Sequence, residues 1–243
     1  MTAFVLKYRV EPYRFPAALR DVLRAVRLVR SRAAEFQVDP QRIGVFGSSA
    51  GGHLALSAGT LFDAPEGKTG AALDGVDARP DFMALLYPVV TMREPFVHRG
   101  SRRALLGDAP SEQLIQQASL ESRVSARTPP AFLVHSAEDA SVPLENTLLV
   151  QRALSQAHVP VEAHLYQQGP HGFRLEGGAR HHLAVAAALP RMARRAVRGA
   201  AGQRALAEGS GVTVSRGAAK LGLGWLLADS TARDSSPLAR RHE

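Results

Sequence analysis

One stretch of fifteen residues decides the fold class: Asp39-Pro-Gln-Arg-Ile-Gly-Val-Phe-Gly-Ser-Ser-Ala-Gly-Gly-His53. Its first two residues, Asp39-Pro40, end the helix-like pattern of apolar residues that precedes them. Residues 42–46 form a short apolar run typical of a buried strand. Residues 47–52 are small and glycine-rich, and residues 53–62 continue as a helix-like stretch. A strand, a tight turn and a helix in immediate succession predict a unit of an α/β fold.

Strand-like and helix-like segments alternate on both sides of this stretch. Residues 2–10 are rich in β-branched and aromatic residues and read as a buried strand. From Pro16, apolar residues recur at steps of three and four and predict a helix of about 20 residues with arginines on its opposite side. Further strands are expected over 82–90, 131–135 and 161–166, and further helices over 144–157, 181–198 and from Ser111. The prediction is an α/β fold with a doubly wound, mostly parallel sheet and helices on both faces.

The last fifth of the chain has a different composition. Residues 199–243 are dominated by Gly, Ala, Ser and Arg and show no long periodicity. We expect a core over residues 1–198 and a flexible basic tail over 199–243, with a weak helix over 218–228.

Composition excludes several classes of protein. Of the 243 residues, 45% are apolar, which rules out wholesale disorder. Cysteine is absent, which excludes disulfide scaffolds, thiolate zinc sites and cysteine nucleophiles. No apolar run approaches the ~18 residues of a membrane span, and no signal peptide precedes the first strand, so the default expectation is a cytoplasmic protein without membrane contact.

The chain is basic. Its formal net charge of +8 makes a nucleic-acid role worth testing against the distribution of the charges. The arginines, however, lie at helical spacing among apolar residues, and aromatic residues make up only 6% of the chain without interleaving with them. Because no stacking platform for bases is present, we do not expect nucleic acid as a partner.

Ser49 is the candidate nucleophile. It lies in Gly47-Ser-Ser-Ala-Gly51, which matches G-x-S-x-G between a strand and a helix. A sharp turn at the end of a strand exposes the serine hydroxyl, and side chains at the flanking glycines would collide with the backbone. A tight packing turn without chemistry is the alternative. The N–H groups at the start of the following helix, that of Ala50 first, could stabilise a developing oxyanion.

A nucleophilic serine needs a base, and the base needs a carboxylate to orient it. Among nine histidines, His171 lies in a glycine-containing loop after the 161–166 strand, whereas His135 and His164 lie within strands and His98 has no supporting context. Asp139 follows the strand that ends at His135, with Glu138 as its only close rival. The chain order Ser49, Asp139, His171 is that of the α/β-hydrolase arrangement.

The sequence resembles the short-chain esterase and acetylxylan-esterase-like branch of the α/β-hydrolase superfamily. The blocks that carry the resemblance are Ala3-Phe-Val-Leu-Lys-Tyr-Arg9, residues 39–53, Tyr87-Pro88, residues 128–135, Asp139-Ala-Ser-Val-Pro143 with Glu145-Asn146, residues 164–166 and His171-Gly-Phe173. The resemblance implies a serine hydrolase of acetyl and other small acyl esters, acetylated sugars among them, that works through an acyl-enzyme without metal or cofactor. It also implies Ser49 as nucleophile, His171 as base, Asp139 as its orienter, Ala50 N–H as oxyanion donor and Tyr87 beside the substrate.

The chain departs from this family at its beginning. The family has strands and a Gly-Gly-Gly loop ahead of the segment that matches residues 3–8, and the loop supplies part of the oxyanion hole. We therefore expect Met1 to be an internal or misassigned start. One absent strand would lie between the strands predicted at residues 3–8 and 43–46, so these two are expected to pair directly or to leave apolar edges open. An inactive hydrolase fragment and a serine peptidase of the oligopeptidase type are the alternatives.

Overall fold

The computed structural model describes residues 2–172 and 223–228. Within these residues, six strands form one sheet in the order β1-β6-β2-β3-β4-β5. The strands are β1 (Thr2–Lys7), β2 (Ile43–Ser48), β3 (Phe82–Leu86), β4 (Ala131–Ser136), β5 (Val161–Tyr166) and β6 (Leu223–Ala228). The helices are α1 (Ala17–Ser31), α2 (Ala50–Thr60), α3 (Arg99–Leu106), α4 (Glu112–Ala118) and α5 (Glu145–Gln156). No helix in residues 2–172 is long and apolar enough to span a membrane.

Strands β2 to β5 form a parallel sheet in which β3 and β4 are buried on both faces, whereas β5, at the edge of the described sheet, is half-buried. Alternate residues such as Val45, Leu85 and Leu133 belong to one apolar core, together with the inner sides of α1, α2 and α5. The residues between them on the strands, such as Ala84 and Phe132, point to the opposite face and are buried as well. Parallel strands require covered faces, and the predicted mostly parallel α/β sheet is confirmed.

The expectation that β1 and β2 pair directly or leave apolar edges open is wrong, because β6 fills the gap between them. It lies between these two strands and runs antiparallel to both, with Trp225 opposite Val5 on one side and Phe46 on the other. The two strands therefore neither pair directly nor leave their facing edges open. The weak helix predicted over 218–228 is wrong over 223–228, because a short apolar run fits a strand as well as a helix and two neighbouring strands here satisfy its backbone groups. The predicted domain boundary at residue 198 and the predicted helix over 181–198 lie outside the described residues.

Strand β1 was expected to be buried, and this is wrong for one of its faces. Phe4 and Leu6 pack on the core, whereas Val5 is 54% exposed. The strand lies at the edge of the described sheet, and side chains of a strand alternate between two faces, of which only one is covered here. Arg9 adds a polar anchor just beyond the strand, since its guanidinium donates to the Asp21 carboxylate of α1 at 2.7 Å.

The arginines of α1 hold a loop rather than forming a purely solvated face. Arg27 is buried and pairs with the Asp74 carboxylate at 3.0 Å while donating to the Gly67 carbonyl. Arg30 donates to backbone carbonyls of the 77–79 segment and pairs with Asp81 at 2.9 Å. These contacts fix the segment that connects α2 to β3. Much of the basic charge near this helix is therefore used inside the fold.

Candidate active site

Ser49 lies on a strained turn between β2 and α2. Its backbone adopts φ 54° and ψ −123°. Residues other than glycine rarely adopt this conformation, which costs about 1–3 kcal/mol. The turn is held from β3, because the Ser49 N–H donates to the Leu86 carbonyl at 3.0 Å and the Val89 N–H donates to the Ser49 carbonyl at 3.1 Å. The neighbouring strand thus imposes the strained geometry, which projects the hydroxyl from the end of the sheet.

The glycines around Ser49 are required by contact. A Cβ at Gly47 would overlap the carbonyl group of Gly51, and one at Gly52 would lie 2.8 Å from the Pro88 Cβ. The absence of a side chain at Gly47 lets β2 and α2 approach this closely, and its absence at Gly52 lets α2 approach the segment that follows β3. The sequence expectation of a sterically enforced turn is therefore met at Gly47.

Ser49, His171 and Asp139 are joined by two hydrogen bonds. The His171 Nε2 lies 2.9 Å from the Ser49 Oγ, and its Nδ1 lies 2.7 Å from the Asp139 Oδ2. The three residues follow the carboxyl ends of β2, β4 and β5, which meet at one edge of the sheet because these strands are parallel. The structure thus brings together all three residues that sequence order had grouped.

The Asp139 carboxylate is buried yet ionised. Burial raises the pKa of Asp139, but hydrogen bonds from the Val142 N–H, the His171 ring and the Ser141 N–H lower it by more than burial raises it. The net pKa is therefore below its ordinary value. The two backbone N–H groups both donate to Oδ1 at 2.9 Å. An ionised Asp139 fixes the proton of His171 on Nδ1, which leaves Nε2 free to accept the proton of the Ser49 hydroxyl. Glu138, the rival carboxylate, instead accepts the Gly169 N–H at 3.2 Å.

His135 contacts the same carboxylate, which the sequence did not indicate. Its Nε2 lies 3.3 Å from the Asp139 Oδ2 and donates to the Val142 carbonyl at 3.1 Å, while Nδ1 lies 2.7 Å from the Thr147 hydroxyl. The side chain is fully buried, and this burial lowers the pKa of His135. A neutral ring thus packs behind the carboxylate. The position of His135 inside a strand predicted packing but not this partner.

Tyr87 packs against the ring of His171. The two rings meet edge to face with their centroids 5.1 Å apart. The Tyr87 backbone has a positive φ of 36°, and its N–H donates to the Val134 carbonyl at 2.6 Å. Burial raises the pKa of Tyr87, against the lowering effect of a hydrogen bond with the Ser48 side chain. Tyr87 therefore limits the position of the His171 ring, and its predicted contact with substrate stays a prediction.

A cleft of about 220 Å³ adjoins the elbow at Ala50. Ala50 is the first residue of α2, and its N–H has no carbonyl partner within the helix. His53, one turn further, is buried, and its Nε2 donates to the Ala118 carbonyl at 2.9 Å. Burial lowers the pKa of His53 to about 4, so it is a neutral packing residue at neutral pH. In residues 2–172, no group of three His, Asp or Glu residues is placed to hold a metal ion.

The sequence of the chain matches a known protein family. A family model described as BD-FAE matches residues 2–154, more than half of the chain. The chain belongs to the BD-FAE family. The matched range of this BD-FAE chain contains Ser49 and Asp139, and His171 lies beyond it.

The relatives of this BD-FAE chain include carbohydrate-active enzymes. Endo-1,4-beta-xylanase B of Butyrivibrio fibrisolvens is 35% identical over 71% of the chain and 27% of that protein. Acetylxylan esterase of Xylanibacter ruminicola is 30% identical over 74% of the chain and 36% of that protein. The chain thus spans about a quarter to a third of the length of these two relatives.

A solved structure extends the likeness to three dimensions. The acetyl ester-xyloside bifunctional hydrolase from Caldicellulosiruptor lactoaceticus is 42% identical, with a TM-score of 0.65 over 77% of this chain and 66% of that one. The resemblance to the esterase branch of the α/β-hydrolases is confirmed.

Proposed function

We propose that this chain hydrolyses short-chain acyl esters, acetyl esters of carbohydrates among them, through a covalent acyl-enzyme on Ser49. The observation that carries the proposal is the hydrogen-bonded series Ser49, His171, Asp139 on a strained turn. A serine hydroxyl is a weak nucleophile, and an adjacent imidazole held by a carboxylate is the arrangement that activates it.

The geometry supports a two-step reaction. As the Ser49 Oγ attacks the ester carbonyl carbon, His171 Nε2 takes its proton, and the Ala50 N–H donates to the oxygen that becomes negative. The tetrahedral species collapses when the bond to the alcohol oxygen breaks and His171 returns the proton to that oxygen. Water then attacks the acyl-Ser49 ester with His171 again as base, which releases the acid and restores the serine.

Acetylated carbohydrate is the substrate class that we infer. The support is the identity of the relatives, an acetylxylan esterase and an acetyl ester-xyloside hydrolase among them. The mechanism uses protein side chains and water alone, so the proposal requires no metal or cofactor.

Hydrolysis of p-nitrophenyl acetate by wild type and by Ser49→Ala tests the proposal. We expect the variant to fall to the background rate, a loss on the order of 10⁴-fold or more. Ser31→Ala, at the exposed end of α1, is the matched control and should leave the rate unchanged. Equal rates for wild type and Ser49→Ala would favour an inactive fragment. Faster hydrolysis of an aminoacyl p-nitroanilide than of the acetate would favour a peptidase.

A further inference from the structure

His98 is a histidine near the candidate site that the mechanism above does not use. It precedes α3 and caps it, since its Nδ1 accepts the Ser101 N–H at 3.1 Å and lies 2.8 Å from the Ser101 hydroxyl. A backbone N–H can only donate, so Nδ1 must be the unprotonated nitrogen. The proton of the neutral ring is therefore on Nε2.

The Nε2–H of His98 has no partner among residues 2–172 and 223–228. His98 is half-buried and lines the cleft that begins at Ala50, beside the nucleophile. Tyr8, Tyr13 and Met92 line the same cleft, so its walls are largely apolar. The charged side chains Arg9 and Arg14 also line the cleft, but they are paired with Asp21 and Glu11. The Nε2–H of His98 is thus a fixed donor that is left for a ligand, and a few fixed polar groups in a largely apolar cleft orient what binds there.

Burial keeps this donor neutral. Burial lowers the pKa of His98, the field of His171 lowers it further, and the Asp139 carboxylate acts in the opposite direction. A neutral N–H can bind a hydroxyl there without placing a second positive charge beside His171 when His171 becomes protonated.

We propose that His98 Nε2 donates a hydrogen bond to the sugar hydroxyl that neighbours the ester oxygen of an acetylated carbohydrate. This assignment rests on the proposed function. An acetyl group offers only its carbonyl oxygen as an acceptor near the reacting carbon, and the Ala50 N–H serves that atom. A further donor in the cleft that adjoins Ala50 therefore fits the alcohol portion of the ester.

Two substitutions separate the donor from the helix cap. In His98→Asn, the amide oxygen can replace Nδ1 as acceptor for the Ser101 N–H, because Asn is among the best capping residues, but no donor reaches the Nε2 position. In His98→Gln, the longer side chain carries an N–H group to about the place of Nε2. Asn thus preserves the helix and removes the donor, whereas Gln returns it.

The test compares three substrates. They are a methyl β-xylopyranoside with one acetyl group beside a free hydroxyl, its analogue with hydrogen in place of that hydroxyl, and p-nitrophenyl acetate. We expect His98→Asn to lower kcat/KM for the first about tenfold and to leave the other two within about twofold, since one hydrogen bond is removed. His98→Gln should recover most of the loss.

The outcomes distinguish the two proposals. An equal loss on all three substrates, or no loss on any, overturns the assignment of His98 while the role of Ser49 stands. Equal turnover by wild type and Ser49→Ala overturns both. Thermal unfolding of His98→Asn at the wild-type temperature is the control that the cap is intact. For His98→Gln, which lacks the capping acceptor, the control is circular dichroism at the assay temperature, which should show a folded protein.

Discussion

Strands β2 to β5 run in one direction, whereas β6 runs against its neighbours β1 and β2 at the other side of the same sheet. In the parallel part, every strand ends at the same edge, and the residues that follow are those of the site: Ser49, Tyr87, Asp139 and His171. In the other part, β6 begins opposite the end of β1, because Leu223 pairs with Lys7. Its carboxyl end therefore lies at the opposite edge. Parallel strands concentrate loops and chemistry at one edge, and β6 extends the sheet without adding its own end to that edge.

The largest effect is expected at the carboxylate in the parallel part. Asp139→Asn should lower kcat for p-nitrophenyl acetate on the order of 10⁴-fold, because an amide at this position favours the wrong tautomer of His171. The measurement is steady-state kinetics with the folded variant. Asn has nearly the same size as Asp, and its oxygen can still accept the Ser141 and Val142 N–H groups, so the fold should be retained.

Glu138→Gln is the matched control. The amide oxygen can still accept the Gly169 N–H, and no hydrogen bond or ion pair joins Glu138 to His171. We expect a change of less than about threefold. A larger loss in Glu138→Gln than in Asp139→Asn would reverse the assignment of the orienting carboxylate.

Acid should destabilise the parallel part of the sheet first. Strand β4 contains the buried neutral His135, and helix α2, which packs on the sheet, contains the buried neutral His53, whereas β1 and β6 contain no histidine. The pKa of His53 is about 4 in the folded state against an ordinary value of 6.5. The unfolded chain therefore binds the proton more readily, and stability is lost as the pH falls below 6.5. At pH 4, His53 alone should lower the free energy of unfolding by about 3 kcal/mol relative to pH 7.

His53→Gln removes this titration and keeps a donor for the Ala118 carbonyl. Urea unfolding at pH 7, 5.5 and 4 should show a shallower loss of stability in the variant than in wild type. Parallel pH profiles for the two proteins would contradict a neutral buried His53.

Much of the site could be predicted because its signals are local. Gly47, Ser49 and Gly51 specify the turn through steric requirements that any strand-to-helix junction imposes, and β5 has the predicted bounds, Val161–Tyr166. The order of Ser49, Asp139 and His171 then followed from their positions after strands. These features depend on residues close together in the chain.

The misses depend on contacts between distant residues. The strand Leu223–Ala228 acquires its conformation from β1 and β2, so its apolar run alone could not distinguish helix from strand. His98 reaches the cleft because it precedes α3, whose position depends on the folded structure. His135 contacts Asp139 because the turn over residues 139–142 folds back towards β4. The helical pattern, which put the arginines opposite the apolar side of the helix, did not indicate that Arg27 is buried, since the loop that accepts its hydrogen bonds lies 40 residues or more away in the chain.

A smaller effect is expected from breaking β6. Leu226 pairs with Phe4 in β1 and with Val45 in β2, and Leu226→Pro removes its N–H from the ladder. Among the described strands β1 pairs only with β6, whereas β2 also pairs with β3. Hydrogen exchange of the β1 amides should therefore accelerate about 10²-fold while that of β3 and β4 changes by less than about tenfold.

Leu226→Val keeps the N–H and a residue suited to strands, and should leave exchange of the β1 amides nearly unchanged. Unaltered β1 protection in Leu226→Pro would mean that β6 does not pair with β1 in solution.

The most direct measurement is covalent trapping of the nucleophile. The chain is incubated with a fluorophosphonate, which phosphonylates an activated serine with loss of fluoride, and the product is mapped by peptide mass spectrometry. We predict a single adduct on Ser49, absent from Ser49→Ala and formed far more slowly in Asp139→Asn. An adduct of equal yield in Ser49→Ala, or no adduct in the wild-type protein, would contradict the activation of Ser49 by His171 and Asp139.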